Sequence, residues 1–309
     1  MPTPLPAASP TRRGLLAAAT LAMLGSGACA GAKPKSEEQR GPDPELLIDE
    51  LTAGLSRDNT YRDPDAGERA AARRAARSLV TGPGDGVDVG QIFDDLGFRA
   101  HRGADPATGR PFDLYLATGS DDRSWGAVLV DRSAAPGTVI EVPHPGFDIN
   151  TEKLGLALHR KVPASVLLVA GAHRQAAGGD ADVAHNDRSL FHTLAVEFAK
   201  NGLDQIQLHG FADRNLPTSD AVVSTGSARV TPVARRIADG LSGSGLTTCR
   251  AWVKKCGQLE GKTNEQGRAA AALEAVFIHL ELSWSVRRDA EARGRVATAL
   301  AEQLAAVAC

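Results

Sequence analysis

The chain has 309 residues, with 35 Lys+Arg set against 37 Asp+Glu for a formal net charge of −2. That length accommodates one large α/β domain or two small ones. The near-even charge balance lacks the basic domain or stripe that nucleic-acid binders carry, so a nucleic-acid partner is excluded as an expectation. Past the first thirty residues no apolar run approaches the ~18 residues of a membrane-spanning helix.

The first segment in chain order is a leader. Arg12-Arg13 precede an apolar stretch from Leu15 to Leu24, followed by the small residues Gly25-Ser26-Gly27-Ala28-Cys29-Ala30. A charged start, a short apolar middle and a small-residue cleavage zone resemble a signal segment, and the adjacent arginines resemble its twin-arginine form. Residues 1–30 are therefore predicted to direct export to the extracellular space or cell envelope. Two endings stay open. Ala28-Cys29-Ala30 fits cleavage by signal peptidase, and Ser26-Gly27-Ala28-Cys29 resembles a lipoprotein box. A lipid on Cys29 is the one membrane attachment expected. Residues 31–45 form a polar linker rich in Lys, Glu, Gly and Pro.

Helical spacing follows, and 46–90 reads as an N-terminal helical region with Leu46, Leu47, Leu51 and Leu55 on one face and an Ala/Arg-rich run from Ala66 to Leu79. From 91 to 309 the pattern is that of an α/β domain. Strands are predicted at Phe112–Ala117, Trp125–Val130, Thr138–Val142, Ser165–Ala170, Ile206–Leu208, Ala221–Ser224 and Val276–Leu282. Helices are predicted near Glu152, over Ser189–Lys200 and Val230–Leu241, and in one long terminal helix over Arg287–Val307. Such alternation implies a mixed, largely parallel sheet flanked by helices. Cys249 and Cys256 flank a short polar loop and are expected to pair in an oxidising compartment, with Cys309 left free.

Five patches carry chemistry-bearing side chains, most of them at strand ends, where open α/β sheets collect functional groups. The turn Glu141-Val142-Pro143-His144-Pro145-Gly146-Phe147-Asp148 leads to Glu152, and His144, Asp148 and Glu152 are candidate metal ligands. Taken alone, it reads more simply as a polar loop with a helix cap at Thr151. Ala170-Gly171-Ala172-His173-Arg174 offers Arg174 as an oxyanion or carboxylate clamp, or as a solvated loop arginine. Asn186 and Arg188 open a helix and could hold a substrate carboxylate or merely cap. His209, at a strand end before Gly210, suits metal ligation or a satisfied core position. Finally, Glu281 sits in the apolar run Phe277-Ile278-His279-Leu280-Glu281-Leu282. Strand alternation places it with His279 and Ser283 on one face. Burying an unpaired carboxylate there costs several kcal/mol, about 2–7. It is therefore either a raised-pKa general base or the buried partner of Arg287 or Arg268.

A His-plus-acid turn, an Arg/Asn patch, a strand-end His and a late-strand Glu, in that order over 138–287, resemble the zinc-carboxypeptidase superfamily, in its poly-γ-glutamate hydrolase-like and aspartoacylase-like branches. The resemblance implies a Zn²⁺ held by His144, His209 and Asp148, with Glu152 as supporting residue or replacement. It implies Glu281 as general base, with Arg174 and Asn186 where the substrate carboxylate and oxyanion are handled; Arg268 and Arg287 are further candidates for holding the substrate. The usual His-x-x-Glu spacing is absent here. The expected activity is hydrolysis of an amide in a small peptide, cell-wall fragment or γ-glutamyl substrate. The rival is a non-catalytic binding lipoprotein on the same fold.

Overall fold

The computed structural model describes residues 41–82, 86–119 and 121–305. The leader, Cys29, most of the polar linker and Cys309 lie outside the described residues. The remainder belongs to one compact unit, Ser36–Cys309.

The first three helices are α1 (Pro44–Ala53), α2 (Ala66–Thr81) and α3 (Val89–Asp95). Asp65 and Glu68 form a capping box that starts α2, each side chain accepting from the other's backbone N–H. The strands are β1 (Phe98–Ala104), β2 (Pro111–Ala117), β3 (Ala127–Asp131), β4 (Thr138–Val142), β5 (Ser165–Val169), β6 (Asp204–Phe211), β7 (Ala221–Ser224), β8 (Thr248–Arg250) and β9 (Phe277–Ser283). The later helices are α4 (Thr151–Lys161), α5 (Leu190–Lys200), α6 (Pro232–Gly243), α7 (Glu265–Ala272), α8 (Trp284–Arg288) and α9 (Ala290–Ala305).

Among the described residues the nine strands join in one mixed sheet, ordered β1-β2-β3-β5-β4-β6-β9-β7-β8. Its centre, β5-β4-β6-β9, is parallel throughout. The β1–β3 flank is antiparallel, and β7 runs antiparallel to β9. Apolar residues cover both faces. Leu154, Leu158, Ile237 and Leu300 pack with Ile140, Leu167, Leu208 and Leu280 on one side. Ala72, Phe93, Leu194 and Phe198 pack with Tyr115, Val128, Val166 and Leu168 on the other. Each such Leu, buried fully, contributes about 1.5–3 kcal/mol.

Alternation then does something specific in the central strands. Ile140, Ile206, Leu208, Ile278 and Leu280 all point into the first core. Their neighbours Glu141, Gln205, Gln207, His209, His279 and Glu281 are buried on the opposite face. Register sets Glu141 beside Gln207, Gln207 beside His279, and His209 beside Glu281. A polar stripe thus crosses three adjacent strands and ends at the carboxyl edge of the sheet.

Several boundaries differ from the sequence reading. The strand expected over Ile206–Leu208 extends from Asp204 to Phe211, because polar residues at its alternate positions interrupt the apolar signal. The single terminal helix is two, α8 and α9, divided at Asp289, whose side chain accepts from Ala292 N at 2.7 Å and caps α9. The edge strands β1 and β8 and the helix α7 went unread. The disulfide expected between Cys249 and Cys256 is present.

Candidate active site

The parallel centre presents the ends of β4, β6 and β9 to a cleft of about 690 Å³. Past β4, the chain turns so that Asp148 N donates to His144 O at 2.7 Å, and Phe147 N to the same oxygen at 3.0 Å. That single turn puts residues i and i+4 on one side. It explains why a His-x-x-x-Asp spacing serves here: Asp148 Oδ2 lies 3.3 Å from His144 Nδ1. From β6, His209 brings Nδ1 to 3.4 Å from the same carboxylate oxygen. Gly210 is required beside it, because a Cβ there would run into the Arg287 guanidinium.

His144, Asp148 and His209 are all buried, and one ligand atom from each lies within 4.8 Å of the others. Two imidazoles and one carboxylate form a donor set suited to zinc. His209, His279 and Glu281 form a second group with the same mutual spacing, the two rings stacked with centroids 4.4 Å apart.

Asp182 stands behind His144, accepting from its Nε2 at 2.8 Å. A carboxylate on the far nitrogen fixes the ring and leaves Nδ1 to face the donor cluster. Asp182 also takes Arg174 Nε at 3.1 Å and His185 Nδ1 at 3.1 Å. Arg174 Nη1 reaches to 3.4 Å from His144 Nδ1, so its guanidinium is aimed at the cluster.

The electrostatics follow from these contacts. Burial pushes the His144 pKa down, yet the Asp148 and Asp182 carboxylates outweigh it and hold that pKa above its ordinary value. Burial also works to raise Asp148 and Asp182, but the imidazoles packed against them, His144 and His209 on Asp148 and His144 and His185 on Asp182, hold both far below the usual carboxylate range. His209 is lowered to about 4, chiefly by burial. Glu281 goes the other way: burial first, then the Asp148 charge, push it well above the carboxylate range. Its Oε2 is buried without a hydrogen-bond partner among the described residues, as is His279 Nδ1.

The remaining expected site residues fall elsewhere. Glu152, on the first turn of α4, faces a separate hollow with Asp49, Lys153 and Arg160, and its carboxyl is not among the converging donors. Asn186 donates to Asp63 Oδ1 at 2.6 Å and to Asp180 O at 2.7 Å, and so braces a loop. Arg268 pairs with Glu265 at the surface at 2.5 Å. Arg287 is buried and spends its N–H groups on the carbonyls of Leu282 at 3.1 Å, Ile149 at 2.7 Å and Phe211 at 3.2 Å. None of Glu152, Asn186, Arg268 and Arg287 lines the cleft.

Sequence reasoning assigned no role to Asp182. Its one visible mark is an acid three residues before His185 in a Gly-rich loop. It also passed over Arg214 and Lys262, exposed cations on the cleft wall. Neither makes a side-chain hydrogen bond or ion pair among the described residues. Phe147 stands half-exposed at the mouth, under the Arg174 guanidinium at 5.2 Å.

No family model matches the chain, and no curated protein does. Solved structures of similar fold include an N-formylglutamate amidohydrolase from Ralstonia eutropha JMP134, at 12% identity over 59% of this chain and 96% of that one, TM-score 0.43. A bacteriophage poly-gamma-glutamate hydrolase aligns at 17% identity over 56% of this chain and 85% of that one, TM-score 0.39. A metallo-carboxypeptidase from Pseudomonas aeruginosa aligns at 13% identity over 80% of this chain and 70% of that one, TM-score 0.39. Likeness at this level transfers no activity, so the chemistry rests on the side chains.

Proposed function

We propose that the protein is an exported, zinc-dependent hydrolase of an amide or peptide-type bond. One observation carries the reading: three buried donors, His144, Asp148 and His209, converge in one cleft with the unpartnered carboxyl of Glu281.

A zinc ion on those donors would supply a Lewis acid and a water whose pKa falls toward about 7. The chain's own residues do the rest. Beside the ion's positive charge Glu281 would stand as the carboxylate, its free Oε2 placed to accept the proton of the attacking water and return it to the leaving amine. Arg174, anchored on Asp182, faces the carbonyl oxygen as charge develops there. Arg214 and Lys262 offer unpaired positive charge to a carboxylate elsewhere on the substrate, and Phe147 offers an apolar edge. A small peptide, cell-wall fragment or γ-glutamyl compound has the groups these residues would meet. What favours catalysis over the binding-lipoprotein alternative is the place of the unpartnered Glu281 carboxyl, beside His209 of the donor set.

Protein purified without chelator should carry zinc, and a His144→Ala/His209→Ala variant should not. Equal, near-zero metal in both sinks the reading. Turnover is then sought on a panel of acyl-amide and γ-glutamyl peptides. Export rests on residues 1–30. The N-terminal mass of protein recovered from medium and membrane separates cleavage after Ala30 from a lipid on Cys29.

A further inference from the structure

The polar stripe behind His209 takes no part in the chemistry above, yet each of its amides is oriented by a group that cannot exchange donor for acceptor. Gln266 donates from Nε2 to the Val183 carbonyl at 2.9 Å, so its Oε1 must face Gln207, whose Nε2 it accepts at 3.1 Å. Asn264 caps α7, its Oδ1 accepting from Gly267 N at 2.9 Å, so its Nδ2 must donate to Gln207 Oε1. Glu141, fully buried, sets Oε2 2.8 Å from Gln207 Nε2 and Oε1 2.9 Å from Gln205 Nε2. Gln205 Nε2 is pinned in turn by the Ala195 carbonyl at 3.2 Å. Three neighbours agree on one orientation for Gln207, with its NH₂ toward Glu141 and Gln266 and its oxygen toward His209.

That oxygen lies 2.7 Å from His209 Nε2. An amide oxygen has no proton to give, so Nε2 must supply one. On the other side of the ring, Nδ1 faces Asp148 Oδ2 at 3.4 Å, a second pure acceptor. A neutral imidazole has one proton for the two of them. Left to the charged Asp148, the proton would sit on Nδ1 and close off that lone pair.

We infer that Gln207, locked by Glu141, Asn264 and Gln266, is a positioning residue that assigns the proton of His209 to Nε2 and keeps Nδ1 open as a donor to the cleft. The proton assignment stands without any metal. Its consequence, a metal held through Nδ1, rests on the function proposed above.

The test is side-chain ¹H–¹⁵N correlation NMR on metal-free full-length protein carrying ¹⁵N-histidine, with the His209 signals assigned by their loss in His209→Gln. Wild type is expected to show the Nε2–H form. Gln207→Met, of similar length but without an amide oxygen, should move His209 toward the Nδ1–H form. It should also weaken Zn²⁺ binding, measured against a competing chelator, by about 10–100-fold. Gln207→Glu, whose carboxyl can share one proton with Glu141 and still accept from His209, should keep the wild-type form. If Gln207→Met fails to fold, Gln207→Leu, which also lacks the amide oxygen, decides, with the Nδ1–H form expected. An unchanged Nε2–H signature in the deciding variant overturns the proposal. A shifted tautomer in protein that binds no Zn²⁺ leaves the relay standing and removes the metal reading. Tight Zn²⁺ binding with an unmoved tautomer does the reverse.

Discussion

Replacing Glu281 by Gln separates chemistry from structure at one atom. Gln has the shape of the protonated carboxyl, and in the metal-free protein the protonated form is favoured, because burial and then the Asp148 charge raise the Glu281 pKa well above the ordinary value. Arg287, the one buried arginine among the described residues, spends its N–H groups on three backbone carbonyls and forms no ion pair with it. Loss of a general acid–base should lower turnover by about 10²–10⁴-fold, while the zinc content stays that of wild type. Stability should move the opposite way. A carboxyl whose folded pKa is raised contributes stability below its unfolded pKa and loses it as pH rises through the folded value. At pH above that value the wild-type metal-free protein holds a buried, unpartnered charge that the variant lacks, a difference of about 1–3 kcal/mol. Urea unfolding of metal-free protein at acidic and alkaline pH, beside zinc analysis and turnover, measures all three. A variant less stable than wild type at every pH refutes the reasoning, since Glu281 would then be a structural pair member. Loss of zinc would instead make Glu281 a ligand.

Asp182→Asn removes the negative charge behind His144 and in front of Arg174 while keeping size, and zinc affinity should drop about 10–100-fold by chelator competition. His159 is buried, and burial lowers its pKa from 6.5 to about 4. The unfolded chain therefore takes up its proton first as pH falls, and stability should decline between those values by about 1.4 kcal/mol per unit, a slope that His159→Gln removes in pH-dependent urea melts. Reducing Cys249–Cys256, a bridge spanning a sequence separation of 7, should cost about 2–3 kcal/mol by loop closure. Because Gly257–Asn264 begins beside Cys256 and forms one wall of the cleft, reduction should also raise KM more than it lowers kcat.

What the sequence displayed and what it hid follow from how each residue is held. His144, His209 and Glu281 follow or interrupt apolar strand runs, so pattern alone put them at one edge of a parallel sheet. Asp148 and Glu152 could not be separated by spacing. The turn geometry after β4 decides between them, since Asp148 falls one turn from His144 while Glu152 is carried round the start of α4. Asp182 was hidden because it reaches His144 through an irregular loop with no period. The edge strand β1 was hidden because an antiparallel edge can expose most of its side chains, and Arg99, Ala100 and His101 leave no alternation to read. The polar stripe was half visible: Glu141, Gln205 and Gln207 each look like solvent-facing strand residues until the pairing of β4, β6 and β9 closes them in.

The donors come from distant stretches of chain, a turn after β4 and the end of β6, and meet only when those two strands pair in the sheet. Of that donor set the unfolded polypeptide brings only His144 and Asp148 close together, so the complete set does not exist before the sheet forms. A zinc ion, on the function proposed, would meet a scaffold already built. Refolding rates should then be indifferent to zinc concentration, while unfolding slows as the ion accumulates on the finished site. Order of assembly is thereby written into the topology: the sheet first, the ion second.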